Sequence, residues 1–157
     1  MKKLLYINNY NCTNLHKEGY PDNHLWGADA LSKIYKVKCA KVPGNLFKIT
    51  FKGSARINNF WKSLVMLIRY FNYDTVYSAC GELTDAFALA NILRLKHRRL
   101  FMIQHHGSSR ILFPKGYTKI IFISLVIKKL FPQISNSCFI SWGGSNHLLI
   151  NSRMLLI

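Results

Sequence analysis

The chain has 157 residues, with 22 Lys and Arg against 6 Asp and Glu, for a net charge of +16. That length suits one domain with a real core, and a half-hydrophobic composition with 13% aromatics excludes intrinsic disorder despite the charge. The longest apolar stretch, Ile120 to Ile127, is broken by Ser124 and flanked by Lys119, Lys128 and Lys129. It falls short of the roughly 20 residues that a membrane span requires.

Taken in chain order, residues 3–8 (KLLYIN) form an apolar run that predicts a buried parallel strand. Its apolar part stops at Asn8-Asn9, short of a signal-peptide core of about 7–15 residues, so the expected location is cytoplasmic. A polar segment, 9–23, holds the turn formers Gly19, Pro21 and Asp22. Asp22 or Asn23 caps a predicted helix over 24–35, with Ala28, Leu31, Ile34 and Tyr35 at helical spacing. Val37 to Val42 predicts a second strand, stopped by Pro43-Gly44. Residues 44–57 read as loop, with room for a short strand at 47–51.

Asn58 or Asn59 is placed to cap the next helix, where Phe60, Trp61, Leu64, Leu67, Ile68 and Phe71 recur at three- and four-residue steps. Residues 74–79 (DTVYSA) predict a third buried strand. Glu82 to Leu95 predicts a helix with Leu83, Ala86, Phe87, Ala90 and Leu93 on one face, acids at its start and bases at its end. Residues 100–104 predict a strand ending at His105-His106-Gly107. Residues 116–131 read first as a helix, with strand as the alternative because of their β-branched content. Residues 138–142 predict the last strand. Strand and helix alternate about five times, which points to an α/β fold with a doubly wound, mostly parallel Rossmann-like sheet. In that architecture ligands bind beyond the carboxyl ends of the strands.

All six acids lie before residue 86, and the ten Lys and Arg after it face no acid. Such a field attracts nucleic acid, an anionic membrane leaflet or a phosphate-bearing substrate. Cys12, Cys39, Cys80 and Cys138 are scattered, with no C-x-x-C pair, so reduced buried thiols and no metal site are expected. No G-x-G-x-x-G, P-loop, H-E-x-x-H or G-x-S-x-G motif occurs, and no cofactor is expected.

The segment His105-His106-Gly107-Ser108-Ser109 follows a predicted strand directly. It reads either as a site where His donates to a hydroxyl or phosphate and Gly107 lets a backbone N–H reach an anion, or as a polar turn. Trp26-Gly27 at the first helix start reads either as a flat face with a close-approach glycine, or as a capped helix with Trp26 in the core. Glu82 and Asp85 read chiefly as favourable charge at a helix N-terminus, with Glu82 near enough to a strand end to touch a ligand. The cluster Arg94, Lys96, Arg98 and Arg99, with Lys62 and Arg69 on the preceding helix, suits an anionic membrane surface if Phe60 and Trp61 are exposed beside it.

The strand–polar loop–helix start, then 73–78 (YDTVYS), a helix, and 101–107 (FMIQHHG), together resemble the amino-terminal half of a GT-B glycosyltransferase. The likeness is to the retaining type, glycosyltransferase family 4-like, and it covers most of residues 1–144. The resemblance implies an acceptor-side domain at 1–144, a tail at 145–157 and no donor-binding domain in this chain. It implies sugar transfer from a nucleotide sugar to a cell-envelope polysaccharide or lipid-linked acceptor, at the membrane face, with a separate donor-binding chain as a partner. By the resemblance His106 matches a cleft histidine near the transferred sugar, with Trp26, Gly27, Glu82, His105, Gly107 and Ser108 contacting substrate. The chain departs from the family in having a single glycine in the first loop and no E-x7-E pair. The alternative reading is a non-enzymatic basic α/β domain binding nucleic acid; the dispersed Lys and Arg, and the lack of any recognised motif, count against nucleic acid.

Overall fold

Leu4, Leu5, Tyr6 and Ile7 are consecutive apolar residues, and a strand sends successive side chains to opposite faces. Such a run needs cover on both sides. In the computed structural model, β1 (Lys3–Ile7) is buried at every position after Lys3. Leu5 and Ile7 enter one core, and Leu4 and Tyr6 the other. The structure describes residues 1–9, 28–48, 52–104, 111–122 and 137–139, with the backbone alone at 29, 30, 52, 104, 122 and 137–139.

After β1 come α1 (Ala28–Ser32), β2 (Lys36–Cys39), α2 (Lys52–Arg69), β3 (Thr75–Ser78), α3 (Asp85–Ile92), β4 (Arg99–Gln104), β5 (Lys119–Phe122) and β6 (Ser137–Phe139). Short 3-10 turns occupy Gly81–Leu83 and Pro114–Gly116. Every strand pair is parallel, and the sheet order is β2-β1-β3-β4-β5-β6. The chain leaves β1 in one direction to reach β2 and crosses back over it to reach β3. Right-handed crossovers then require helices on opposite faces. Accordingly Ala28 and Leu31 of α1 join Leu4, Tyr6, Tyr77 and Phe101. Met66 and Leu67 of α2, and Phe87 and Ala90 of α3, join Leu5, Ile7, Val76 and Leu100 on the other side. This is a doubly wound, parallel, Rossmann-like α/β fold.

Several boundaries differ from the sequence reading, each for a physical reason. β2 ends at Cys39 rather than Val42, because it is an edge strand of alternating exposure held only by β1. No strand forms at Phe47-Lys48, and α2 begins at Lys52, so neither Asn58 nor Asn59 caps it. Asn58 is instead fully buried inside the helix. Its Oδ1 accepts from the backbone N–H groups of Leu46 and Phe47, each at 2.9 Å, and its Nδ2 donates to the Phe47 carbonyl at 2.9 Å. A side chain that satisfies a loop's backbone has the same composition signal as a cap.

The apolar stripe expected on α2 is also turned. Met66 and Leu67 are buried, Phe60 and Leu64 pack partly, and Trp61 and Ile68 face outward. Ile34 lies past the end of α1 and is exposed. α3 stops at Ile92 with Leu93 exposed, and Arg94 takes a left-handed backbone (φ 55°). Residues 119–122, read first as helix, are β5: Ile120 and Ile121 are buried on opposite faces of the sheet, which a strand allows and a one-sided helix does not. Gly116 lies against α3 so closely that a Cβ there would overlap the backbone of Ala88. Asn91 fastens this junction, donating to the Arg98 carbonyl at 3.0 Å and the Gly116 carbonyl at 2.8 Å. The described part of β6 begins at Ser137, one residue before the expected start.

Candidate functional site

In a sheet of this order the crossover direction changes between β1 and β3. The two connections leave a crevice beyond the carboxyl ends of those strands. β1, β3 and β4 are in near register there: Ile7 lies beside Ser78 and Ser78 beside Met102. Described residues on this rim are Asn8, Ala79, Cys80, the Gly81–Leu83 turn and Thr84.

The rim is built from polar side chains that first satisfy their own backbone. Asn8 is buried and its Nδ2 donates to the Tyr6 hydroxyl at 3.0 Å. The Tyr6 ring stacks on Tyr77 with centroids 5.8 Å apart. Ser78 Oγ accepts from the Cys80 N–H at 3.0 Å and donates to the Cys80 carbonyl at 2.8 Å, folding the chain sharply as it leaves β3. Thr84 Oγ1 donates to the Gly81 carbonyl at 2.9 Å and bonds the Tyr117 hydroxyl at 2.8 Å. Burial pushes the Tyr117 phenol well above its ordinary range, so it stays neutral.

Glu82 is the sequence-predicted site residue that the structure describes on this rim. It is half-buried on the 3-10 turn, and its Oε2 accepts from Asn59 Nδ2 of α2 at 2.5 Å. That bond crosses 23 residues and fixes the carboxylate's direction. Asp85, three residues on, is 4% exposed, and its Oδ1 has no partner. Burial, then the charge of Glu82, raises the Asp85 carboxyl to about 7. Sequence reasoning took it as a helix-end charge; it does lie in the first turn of α3, but inside the core. Burial also raises the Cys80 thiol to about 11, which removes it as a thiolate nucleophile. Among the described residues no cluster of His, Cys, Asp and Glu could hold a metal.

No protein-family model matches this chain, and no curated protein matches its sequence. The rim must therefore be read from its own chemistry. His105, His106, Gly107 and Ser108 lie outside the described residues; β4, which precedes them, ends at Gln104 on this rim. Trp26 and Gly27 also lie outside them, immediately before α1.

The basic residues proposed for a membrane surface separate into three groups. Lys62 and Arg69 lie on α2, half-buried and exposed respectively, and Arg94 is exposed past α3. Lys96 is committed: its Nζ pairs with Asp74 at 2.9 Å and donates to the Phe71 carbonyl at 2.9 Å. That pairing holds the Asp74 carboxyl below its usual range. Arg99 is half-buried and donates to Thr75 Oγ1 at 3.1 Å.

Arg98 corrects the sequence reading, being 1% exposed. Its guanidinium lies 4.7 Å from the Phe71 ring centroid and 6.0 Å from that of Phe87, and donates to the Phe71 carbonyl at 3.1 Å. Its Nε and Nη1 have no partner. A run of bases normally marks a solvated turn; here β4 starts inside that run, at Arg99, and Arg98 just before it is buried. Among the described residues no helix is long and apolar enough to cross a membrane.

Proposed function

We propose that this chain is the acceptor-side domain of a glycosyltransferase, moving sugar from a nucleotide sugar to a cell-envelope glycan or lipid-linked acceptor. The nucleotide sugar is held mainly by a second domain or chain. The observation that carries this reading is a carboxylate, Glu82, fixed by Asn59 on the rim beside the β1/β3 switch point. A fixed carboxylate accepts hydrogen bonds from sugar hydroxyls and repels phosphate. In a chain with six acids and a charge of +16, its placement on the rim favours a neutral, hydroxyl-rich acceptor there and disfavours a polyphosphate backbone. His106 is proposed as the catalytic group, with Trp26, Gly27, His105, Gly107 and Ser108 as proposed substrate contacts. Backbone N–H groups would stabilise the departing phosphate.

The test is a titration of the purified chain with short oligosaccharides, read by NMR chemical shifts. Saturable binding is expected, weakened by Glu82→Ala and by His106→Ala. Transfer from a nucleotide sugar is expected only when a donor-binding domain is supplied. Tighter binding to DNA or RNA than to any sugar at about 0.15 M salt would overturn the reading in favour of a nucleic-acid domain.

A further inference from the structure

A helix lying on a sheet turns its apolar stripe inward and its polar side outward. α2 does the first and not the second. Met66 and Leu67 are buried, yet Ile57 is 54% exposed, Trp61 36% and Ile68 70%. At 100° per residue these three fall within about 40° of one another around the helix axis, forming one outward ridge. Beside it, the buried Asn58 side chain pins the backbone of Leu46 and Phe47, whose side chains are 47% and 54% exposed. The ridge is thus extended by a loop held in place rather than by a chance exposed residue.

The charge on this helix is one-signed. α2 carries Lys52, Arg56, Lys62 and Arg69 and no acid. Arg56 lies to one side of the ridge, and Lys62 and Arg69 to the other, with Arg56 and Arg69 exposed. Long basic side chains reach sideways from such flanks and place their charge at headgroup level while the ridge enters the acyl boundary. A protein partner for the ridge would need an apolar groove bordered by acids. A second copy of this chain has few: among the acids of the described residues Asp74 is paired with Lys96, Glu82 is bonded to Asn59 and Asp85 is buried, which leaves Asp29 on α1.

We infer that the outer face of α2 is an anionic-membrane docking surface, with Ile57, Trp61, Ile68 and Phe47 inserted and Arg56, Lys62 and Arg69 on lipid phosphates. This narrows the surface read from the sequence, which joined Lys62 and Arg69 to the 94–99 cluster, to α2 alone, because Arg98 is buried and Lys96 is committed. The inference stands on α2 and is independent of the sugar-transfer reading.

The test is co-sedimentation of the purified chain with vesicles of phosphatidylglycerol and phosphatidylcholine, against phosphatidylcholine alone, at about 0.15 M salt. Binding to the anionic vesicles only is expected. Ile57→Asp and Ile68→Asp should each weaken it by about tenfold, since each removes an inserted side chain and adds a repelled charge. Both positions are exposed, so circular dichroism should show an unchanged fold. Brominated acyl chains should quench tryptophan fluorescence in the natural chain, and Trp61→Phe should reduce that quenching to whatever Trp26 and Trp142 contribute.

Absence of binding would overturn the inference. So would binding that both Asp variants leave unchanged, which is charge adsorption through another face. A concentration-dependent dimer that Ile68→Asp splits, without vesicle binding, would reassign the ridge to self-association.

Discussion

Replacing Asp85 by Asn isolates one buried carboxyl. Asp85 is 4% exposed, and its Oδ1 meets no donor. Burial first, and the nearby Glu82 charge second, lift its carboxyl from 3.8 to about 7, with the Leu112 backbone N–H pulling the other way. The folded value is the higher one. Between about pH 4 and pH 7 the folded chain therefore keeps a proton that the unfolded chain has released. The associated stability is complete below pH 4, declines as pH rises through 7, and is gone above it. At 1.36 kcal/mol per pH unit the whole span is about 4 kcal/mol.

Asn has nearly the same shape and cannot ionise. Asp85→Asn should then be more stable than the natural chain at about pH 8, by up to about 4 kcal/mol, and within about 1 kcal/mol of it near pH 4.5. Urea unfolding followed by circular dichroism at both pH values measures this, and the difference between the two proteins cancels every other titrating group. A difference that does not change with pH, or a natural chain that gains on the variant as pH rises, would refute the reasoning.

Three further outcomes are expected. Gly116→Ala drives a methyl into the Ala88 backbone, so it should cost about 3 kcal/mol or more; a loss under about 1 kcal/mol in the same urea assay would mean the 114–116 turn is not packed as described. Asn58→Ala leaves two part-buried N–H groups and one carbonyl without their side-chain partner and should cost about 1–2 kcal/mol, with faster proteolysis confined to the 44–48 loop. Arg98→Met removes a buried guanidinium whose Nε and Nη1 are unpaired while keeping a side chain between Phe71 and Phe87. Its stability should stay within about 1 kcal/mol of the natural chain, and a loss above about 2 kcal/mol would show that the cation–ring contacts outweigh the desolvation.

The fold class was legible because it rests on local patterns. Leu4 to Ile7 and Leu100 to Ile103 are apolar at consecutive positions, Val76 and Tyr77 form a shorter run of the same kind, and only a strand covered on both faces hides all of them. Separating such runs by helical spacing forces parallel pairing, because a parallel connection must cross over. What failed did so where one residue type serves two roles. Asn58 signals a cap whether it satisfies a helix or a loop, and Ile120-Ile121 suit either a buried strand or a buried helix.

The candidate site divides in the same way. The sequence alone put Glu82 near a strand end, because chain order suffices for that. Its bond to Asn59 spans 23 residues, and the burial of Asp85 and Arg98 depends on which elements close over them, so no local pattern carries either. The exposed ridge of α2 belongs with these. Periodicity gives the angle between Ile57, Trp61 and Ile68, but which side of the helix meets the sheet is decided by packing against Met66, Leu67 and α3. Chain order and periodicity are properties of neighbours along the backbone; desolvation and exposure are properties of neighbours in space, and only the folded chain supplies those.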